Sequence, residues 1–233
     1  MIKLFEKNPY VIEFETQIIN LDEENKLIEL EKTAFYGKGG GQPGDSGILI
    51  TELETIEVIE TIKKEDILLH QVSSVNNLKI GNLIKGKIDW EKRYKFMRMH
   101  TALHLLCAVV PMGVTGGQIG DLKSRLDFNA DANSINKEEI QEKLNNILKN
   151  DHKITYEWIR SEQLEKKPDL VRTMSVKPPK TNGKIRLVKI GNIDLQPCGG
   201  THVKNTSEIG SIVVGKIENK GKMNRRVNIS LSD

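Results

Sequence analysis

Two short motifs hold the residues of this chain that are best suited to binding a metal ion. The HTALH run at 100–104 places two imidazoles four residues apart, which on a helix puts them on one face in adjacent turns. The CGGTH run at 198–202 places a thiol and an imidazole four residues apart, and its two glycines allow a tight loop that turns both side chains toward one point. Three imidazoles and one thiolate suit zinc. The sequence therefore predicts one zinc ion per chain, held by His100, His104, Cys198 and His202.

The remaining cysteine and histidines are less well placed. Cys107 lies three residues after His104 on the same helical face, so it is an alternative thiol ligand, but we prefer to interpret it as a small buried core residue. His70 and His152 have no clustered partner, and we expect both at the surface or at strand ends. The spacing leaves open whether the metal site is closed and structural or open and catalytic.

The predicted helices and strands place these motifs within the fold. Short β-branched segments, spaced roughly 8–12 residues apart over the first 88 residues, predict a small β-barrel. From residue 91 to 110 the apolar residues follow a helical period, so the HTALH run lies on a helix that Pro111 ends. Further helices are predicted at 137–150 and 161–166, and strands at 124–129, 185–190, 212–217 and 226–231. The fold class is α+β, with a barrel domain at 1–89 and an α/β two-layer domain at 90–233.

Composition and charge narrow the function further. The chain has 233 residues and a net charge of +3. This charge is the sum of an acidic part, residues 1–89 with a net charge of −6, and a basic part, residues 90–233 with a net charge of +9. A basic half favours a polyanionic partner such as nucleic acid, although a lysine-rich solvated surface has the same charge. Two cysteines exclude a disulfide scaffold, and no apolar run reaches the roughly 20 residues that span a bilayer. We therefore expect a cytoplasmic protein without membrane contact.

A glycine-rich run, GGGQPGDSG at 39–47, is the second chemical feature. It lacks the lysine, the serine or threonine and the following helix of a phosphate-binding P-loop. Its glycine content exceeds what one hairpin requires, which favours close backbone approach to a ligand or to the other domain. The segment TGGQIG at 115–120 follows the HTALH helix, and its small and polar residues make it a candidate to line the metal pocket. The alternative is a plain connection between helix and strand.

Together these segments resemble the alanyl-tRNA editing proteins of the AlaX family and the editing domain of alanyl-tRNA synthetase. The matching runs are GGGQPGDSG at 39–47, HTALH at 100–104, TGGQIG and SRLDF within 115–128, and PCGGTHVKNTSEIG at 197–210. The resemblance runs from about residue 10 to the end of the chain and fits the medium-length, free-standing form. Editing domains of threonyl-tRNA synthetase share the histidine and cysteine pattern but lack the glycine-rich barrel motif.

The resemblance implies hydrolysis of the ester that joins a wrong amino acid to tRNA(Ala), chiefly serine with glycine as a second substrate. It implies that His100, His104, Cys198 and His202 hold zinc, and that Thr115 and Gln118 border the catalytic pocket. It also implies that the 39–47 loop approaches this pocket. The candidate substrate-binding residues are Gly40, Gly41, Gln42, Asp45, Arg125, Lys222 and Arg225.

Two alternatives remain at this stage, and the oligomeric state is open. One is a non-catalytic RNA-binding module with a structural zinc, and the other is an editing domain for another aminoacyl-tRNA such as Ser-tRNA(Thr). For tRNA binding, the candidate phosphate contacts are Lys92, Arg93, Lys95, Lys220, Lys222, Arg225 and Arg226.

Overall fold

The computed structural model describes residues 1–131, 134–174, 178, 180, 181 and 183–232. The chain forms two compact units, Met1–Tyr94 and Lys95–Asp233. Within the described residues, no helix combines the length and apolar character needed to cross a bilayer.

The first unit is a closed six-stranded barrel. Its strands are β2 (Glu13–Asp22), β3 (Leu27–Leu30), β5 (Gly47–Ile50), β6 (Thr55–Lys64), β7 (Ile67–Val72) and β8 (Leu83–Ile88). They pair around the ring in the order β2-β3-β7-β6-β5-β8, every pair antiparallel. Two short strands, β1 (Ile2–Lys3) and β4 (Lys32–Thr33), pair in parallel beside it, next to a 3-10 turn at Leu4–Glu6.

Alternating side chains give this barrel an apolar interior. In β8 every second residue is buried, beginning with Ile84 and ending with Ile88, because successive side chains point to opposite faces of a strand. The inward residues form one core with Phe14, Ile18, Ile28, Leu30, Ala34, Phe35, Leu49, Ile56, Val58, Val72 and Leu78. The predicted N-terminal barrel is confirmed.

His70 departs from the prediction that it lies at the surface or a strand end. Its side chain is on β7 and is completely buried. Nδ1 donates to the Ile28 carbonyl at 3.2 Å, and Nε2 accepts from the Thr33 hydroxyl at 2.9 Å. The prediction was wrong because the burial of this residue depends on partners from two other strands, which no local pattern reveals.

The second unit is α+β and begins within the longest helix, α1 (Trp90–Val109). Residues 99–107 of α1 are all buried, as in a helix surrounded by protein on every side. Two shorter helices are α2 (Lys137–Leu148) and α3 (Ser161–Glu165), and 3-10 turns lie at Pro168–Leu170 and Thr206–Ile209. The predicted helices are therefore confirmed.

Two four-stranded sheets complete this unit. The first has the order β15-β16-β10-β9 and is built from β9 (Val114–Gln118), β10 (Lys123–Phe128), β15 (Ser211–Gly221) and β16 (Asn224–Ser232). In the second, β13 (Lys184–Ile190) pairs with β11 (Ile154–Arg160) on one side and with β12 (Lys180–Thr181) and β14 (Asp194–Pro197) on the other. The segment at 114–118 is thus a strand and not the plain connection that was the alternative interpretation, because its backbone pairs with β10 despite its small residues.

Side chains of helix α2 determine where the helix begins and bond it to the first sheet. The Asn136 side chain accepts a hydrogen bond from the Glu139 N–H at 2.9 Å, which caps the helix start. Gln141 then donates to the Ile212 carbonyl at 2.8 Å and accepts from the Val214 N–H at 2.8 Å. One side chain therefore bonds the edge of β15 to the helix.

Candidate metal centre

Helix α1 supplies the first two ligands. His100 and His104 are four residues apart, both buried, and their ring centroids are 5.3 Å apart. Because α1 is covered on all sides at this level, the two imidazoles point into protein and not into solvent. The helix therefore holds two nitrogen ligands side by side in an environment with little water.

The loop after β14 supplies the other two ligands. Its backbone is held by the buried Arg186, whose guanidinium donates to the Cys198 carbonyl at 2.9 Å and to the Gly200 carbonyl. The Gly200 N–H donates to the Cys198 sulfur at 3.3 Å. This loop brings the fully buried His202 ring to within 4.3 Å of the His100 ring, measured between centroids.

The four predicted ligands converge on one point. One ligand atom from each of His100, His104, Cys198 and His202 lies within 4.8 Å of the other three. The Cys198 sulfur is 3.4 Å from Nε2 of His100 and 3.3 Å from Nε2 of His202. Sulfur and nitrogen ligands of a tetrahedral zinc ion are separated by about 3.5 Å. The donor set and its spacing therefore fit a metal ion, and the structure brings the two motifs together at one point.

Cys107 lies outside this four-residue group. It is buried on α1, and burial raises the pKa of its thiol to about 12. A thiol with so high a pKa stays protonated at neutral pH and is a poor ligand. The preferred interpretation, a small core residue, agrees with this environment.

Two further residues orient the imidazoles, and sequence reasoning missed both. The Thr101 hydroxyl donates to the Met97 carbonyl at 2.8 Å and lies 3.2 Å from Nδ1 of His202, so it accepts the Nδ1–H. The Asp194 carboxylate accepts the Nδ1–H of His104 at 2.9 Å. In both rings the bond at Nδ1 leaves Nε2 as the nitrogen available to a metal ion. The signal for Asp194 was its position four residues before Cys198, in a strand whose alternate residues face the same side.

The electrostatics favour a thiolate in this cluster. Burial raises the pKa of the Cys198 thiol, but the His100 and His202 rings outweigh burial and hold that pKa well below its usual value. Burial lowers the pKa of His104, while hydrogen bonds with Asp194 and Cys198 raise it overall, to about 9. Burial and the neighbouring His100 hold the pKa of His202 well below its usual value. A thiolate is the form of cysteine that binds metals.

Thr115 and Gln118, the predicted pocket residues, both lie on β9. The strand has a bulge at Thr115, since Gly116 pairs with Asp127 while Val114 pairs with Phe128. A bulge redirects the side chain of the extra residue. The Thr115 hydroxyl donates to the Asp127 carbonyl at 3.1 Å.

The basic candidates on this sheet have different surroundings. Arg125 and Arg226 share the carboxylate of Asp127, at 2.6 Å for Nη1 of Arg125 and 2.8 Å for Nε of Arg226. Arg225 is 6% exposed, and its Nη1 donates to the Gly221 and Asn224 carbonyls and to the Asn219 side chain. Lys222 is exposed in the turn between β15 and β16. Arg225 thus holds this turn together, while Lys222 reaches solvent from it.

The glycine-rich candidates belong to the first unit. Gly40 and Gly41 have φ angles of +57° and +82°, and the Gly39 and Gln42 backbones bond to each other on either side of them. This is a tight turn that only glycine forms without strain at both central positions. Gln42 is also buried. The turn presents the Gly40 and Gly41 backbone without side chains in the way.

A buried ion pair supports that turn. Asp45 accepts from the Tyr36 N–H at 2.6 Å and from Nε of Arg93 at 3.0 Å. Arg93 is completely buried, and it also donates to the carbonyls of Pro9 and Ala34. The prediction that Arg93 contacts phosphate was wrong, because Asp45 and the barrel carbonyls enclose its guanidinium.

Two protein-family models match parts of the chain. The model described as "Threonyl and Alanyl tRNA synthetase second additional domain" matches residues 185–228, which include Cys198 and His202. The model described as "tRNA synthetases class II (A)" matches residues 6–92, almost the whole first unit. Both descriptions refer to parts of aminoacyl-tRNA synthetases.

Curated relatives cover almost the whole chain. An alanyl-tRNA editing protein AlaX-M from Methanosarcina acetivorans is 36% identical over 96% of each chain. An AlaX-M protein from Saccharolobus solfataricus is 38% identical over 97% of this chain and 96% of its own. An alanine–tRNA ligase from Methanococcus maripaludis is 35% identical over 92% of this chain but only 24% of its own. The chain belongs to the AlaX family of alanyl-tRNA editing proteins.

Proposed function

We propose that this protein hydrolyses the ester of tRNA(Ala) mischarged with serine, with glycine as a second substrate, and that it acts on free aminoacyl-tRNA in the cytoplasm. The observation that carries the proposal is the convergence of His100, His104, Cys198 and His202 in a chain of the alanyl-tRNA editing family. The reaction adds water across the acyl–oxygen bond, and releases the amino acid and a free ribose hydroxyl of the tRNA.

We propose zinc as the metal of this site. Three imidazoles and one thiolate form a soft donor set typical of zinc, and the thiol is already biased toward its ionised form. Bound zinc supplies Lewis acidity, which polarises a carbonyl or lowers the pKa of water toward about 7. His100 and His104 hold it from the helix, while Cys198 and His202 hold it from the loop.

Selection of serine over alanine rests on the extra hydroxyl. A site that must hydrogen-bond a hydroxyl rejects the analogue lacking it by as much as about 10⁴–10⁵-fold, whereas a site that only tolerates it discriminates weakly. We propose that Thr115, at the bulge of β9, and Gln118, which is exposed on the same strand, supply this bond. Thr115→Val or Gln118→Leu then weakens the discrimination between Ser-tRNA(Ala) and Ala-tRNA(Ala) more than it lowers the serine rate. An equal loss on both esters would count against this role.

The tRNA backbone is proposed to lie against the basic part of the chain. Residues 90–233 carry a net charge of +9, and Lys222 is exposed at the β15–β16 turn. Asp127 neutralises one of the two guanidinium groups it holds, so the Arg125–Asp127–Arg226 group keeps one positive charge and fixed N–H donors. Affinity for tRNA therefore falls steeply with added salt, and a flat salt response would contradict the proposal.

The barrel unit is proposed to contribute the glycine-rich turn. Its backbone is open at Gly40, since a Cβ added there would meet no atom of the described residues within 4 Å. Gln42 and Asp45 are buried, so we assign them the support of this turn rather than direct contact with substrate. The proposed division is a glycine-motif barrel at 1–89 and a zinc-binding editing domain at 90–233.

Deacylation assays test the proposed function directly. We expect wild-type protein to hydrolyse Ser-tRNA(Ala) much faster than Ala-tRNA(Ala), and Cys198→Ala to lose bound zinc and at least about 100-fold of the serine rate. Cys107→Ala is the matched control, because it removes the other thiol from the same chain and should keep both zinc and activity.

Two results would redirect the proposal. Wild-type protein that binds tRNA and zinc but cleaves no ester would favour an RNA-binding module with structural zinc. Protein that cleaves Ser-tRNA(Thr) faster than Ser-tRNA(Ala) would assign the activity to another tRNA.

A further inference from the structure

The carboxylate of Asp194 lies beside the metal ligands. Its side chain is 0% exposed, and Oδ2 accepts from Nδ1 of His104 at 2.9 Å and from Nε2 of Gln196 at 2.8 Å. Oδ1 is buried and has no hydrogen-bond partner among the residues that the structure describes. A buried carboxylate oxygen with an unmade hydrogen bond is costly in a protein interior, so its presence here requires an explanation.

The strand pairing explains why the Asp194 carboxylate and the Cys198 thiol lie on the same side of the chain. Asp194, Gln196 and Cys198 alternate along β14 and its continuation, and Asp194 and Gln196 are buried while Leu195 between them is half-buried. Backbone pairing of β14 with β13 fixes the register, with Asp194 opposite Ile190. A period of two therefore places Asp194, Gln196 and Cys198 on one face of the strand.

Charge balance points to the role of the buried carboxylate. Three neutral imidazoles and one thiolate leave a divalent cation with one positive charge uncompensated. Asp194 lies one imidazole away from the ligand atoms, and its negative charge brings the group close to neutrality. The cost of burying Asp194 is therefore offset when a divalent cation is held by the cluster.

We propose that Asp194 is a positioning residue that sets the metal affinity of this site, by fixing the His104 ring with Nε2 toward the cluster and by supplying the balancing negative charge. Gln196 assists, because its amide donates to the same carboxylate oxygen and holds it against His104. This inference rests on the proposed metal site. It requires no role for Asp194 in contact with substrate.

Metal titration tests the inference without any activity assay. The dissociation constant for zinc is measured by competition with a chromophoric chelator for wild type, Asp194→Ala, Asp194→Asn and Gln196→Leu. We expect Asp194→Ala to bind zinc about 10–100-fold more weakly than wild type. Removing the hydrogen-bond partner of a metal-binding histidine commonly weakens metal binding by this factor. Asp194→Asn keeps an acceptor for Nδ1–H but lacks the charge, so its affinity should lie between. Asp169→Asn, at an exposed aspartate, is the control and should bind as wild type does.

Cobalt spectra separate positioning from loss of the site. All variants should keep the thiolate-to-cobalt absorption band at saturation, because the four ligands are unchanged. Equal zinc affinity in wild type and Asp194→Ala would overturn the inference, as would loss of the thiolate band in Asp194→Asn. If Asp194→Ala fails to fold by circular dichroism, the Asp194→Asn and Gln196→Leu constants decide. Wild-type protein that binds no zinc would instead defeat the proposed function.

Discussion

The two units bury polar groups in opposite ways. In the barrel, the buried polar side chains complete one another: Arg93 bonds Asp45 and two carbonyls, and both ring nitrogens of His70 have partners. In the second unit, His100, His104, Cys198 and His202 direct their ligand atoms toward one another. Groups that satisfy each other stabilise a fold, whereas several lone pairs aimed at one point suit a cation. The comparison therefore separates a structural polar core from a candidate metal centre.

The largest expected effect is the response of stability to zinc. Zinc that binds only the folded state stabilises by RT ln(1 + [Zn]/Kd), which is about 5 kcal/mol at a free concentration roughly 10⁴ times Kd. We expect this gain in urea denaturation of wild type and of Asp45→Asn, whose change lies in the barrel. We expect it to disappear in Cys198→Ala. If zinc stabilises Cys198→Ala as much as wild type, zinc binds elsewhere, and the distinction between the polar groups of the two units is wrong.

The same contrast explains what sequence reveals. The convergence of the four candidate ligands could be predicted because each pair is local, two on adjacent helical turns and two across a glycine loop. His70 could not be placed, since its partners Thr33 and Ile28 come from distant strands. Asp194 was missed because β14 was not predicted, and with it the alternation that places the carboxylate behind His104.

Two strands of the second unit, β9 and β11, were also not predicted from the sequence. The run at 154–160, ITYEWIR, is rich in β-branched and aromatic residues and forms β11, yet it follows a helix without a turn signal of glycine or proline. The run at 114–118 contains two glycines and forms β9 only through its pairing with β10. Tertiary pairing decides such segments, while the barrel strands were predicted because buried and exposed residues alternate along much of their length.

The second effect in size concerns the buried ion pair of the barrel. Asp45→Asn leaves the charge of Arg93 uncompensated in a fully buried position, which should cost about 3–5 kcal/mol of the free energy of unfolding. The measurement is urea denaturation followed by fluorescence of Trp90, in a Trp158→Phe background that leaves a tryptophan in the first unit alone. Zinc stoichiometry should stay at one.

A double variant sharpens this test. Asp45→Asn combined with Arg93→Met removes both charges and should recover part of the loss, although the hydrogen bonds to Pro9 and Ala34 are then absent. A single variant as stable as wild type would show that the pair does not organise the barrel.

The third effect is a pH dependence that originates in His70. Burial lowers the pKa of His70 to about 4, from about 6.5 in the unfolded chain. The unfolded state therefore binds a proton first as the pH falls, so the stability contribution is complete above about pH 6.5 and is lost progressively between about pH 6.5 and 4. The loss amounts to about 3 kcal/mol.

His70→Gln isolates this contribution from the other histidines. Both proteins are unfolded in urea with a chelator present, since wild type and variant share the histidines of the second unit and any contribution from those residues cancels in the difference. The difference in free energy of unfolding between wild type and variant should shrink by about 3 kcal/mol from pH 7 to pH 4. A difference that stays constant with pH would show that His70 is not held neutral.

The smallest effect belongs to the glycine-rich turn, where Gly40 and Gly44 differ in the reason for being glycine. Gly40 has a φ of +57° and open space around it within the described part of the chain, so Gly40→Ala should cost only about 1 kcal/mol, from left-handed backbone strain alone. A Cβ on Gly44 would lie 2.0 Å from the Thr61 carbonyl oxygen, so Gly44→Ala should destabilise the barrel more. Because Gly40 is proposed to approach substrate, Gly40→Ala should lower Ser-tRNA(Ala) hydrolysis by more than its stability loss explains, with zinc affinity unchanged. If Gly40→Ala hydrolyses Ser-tRNA(Ala) at the wild-type rate, this turn has only a structural role, like the buried polar groups of the barrel.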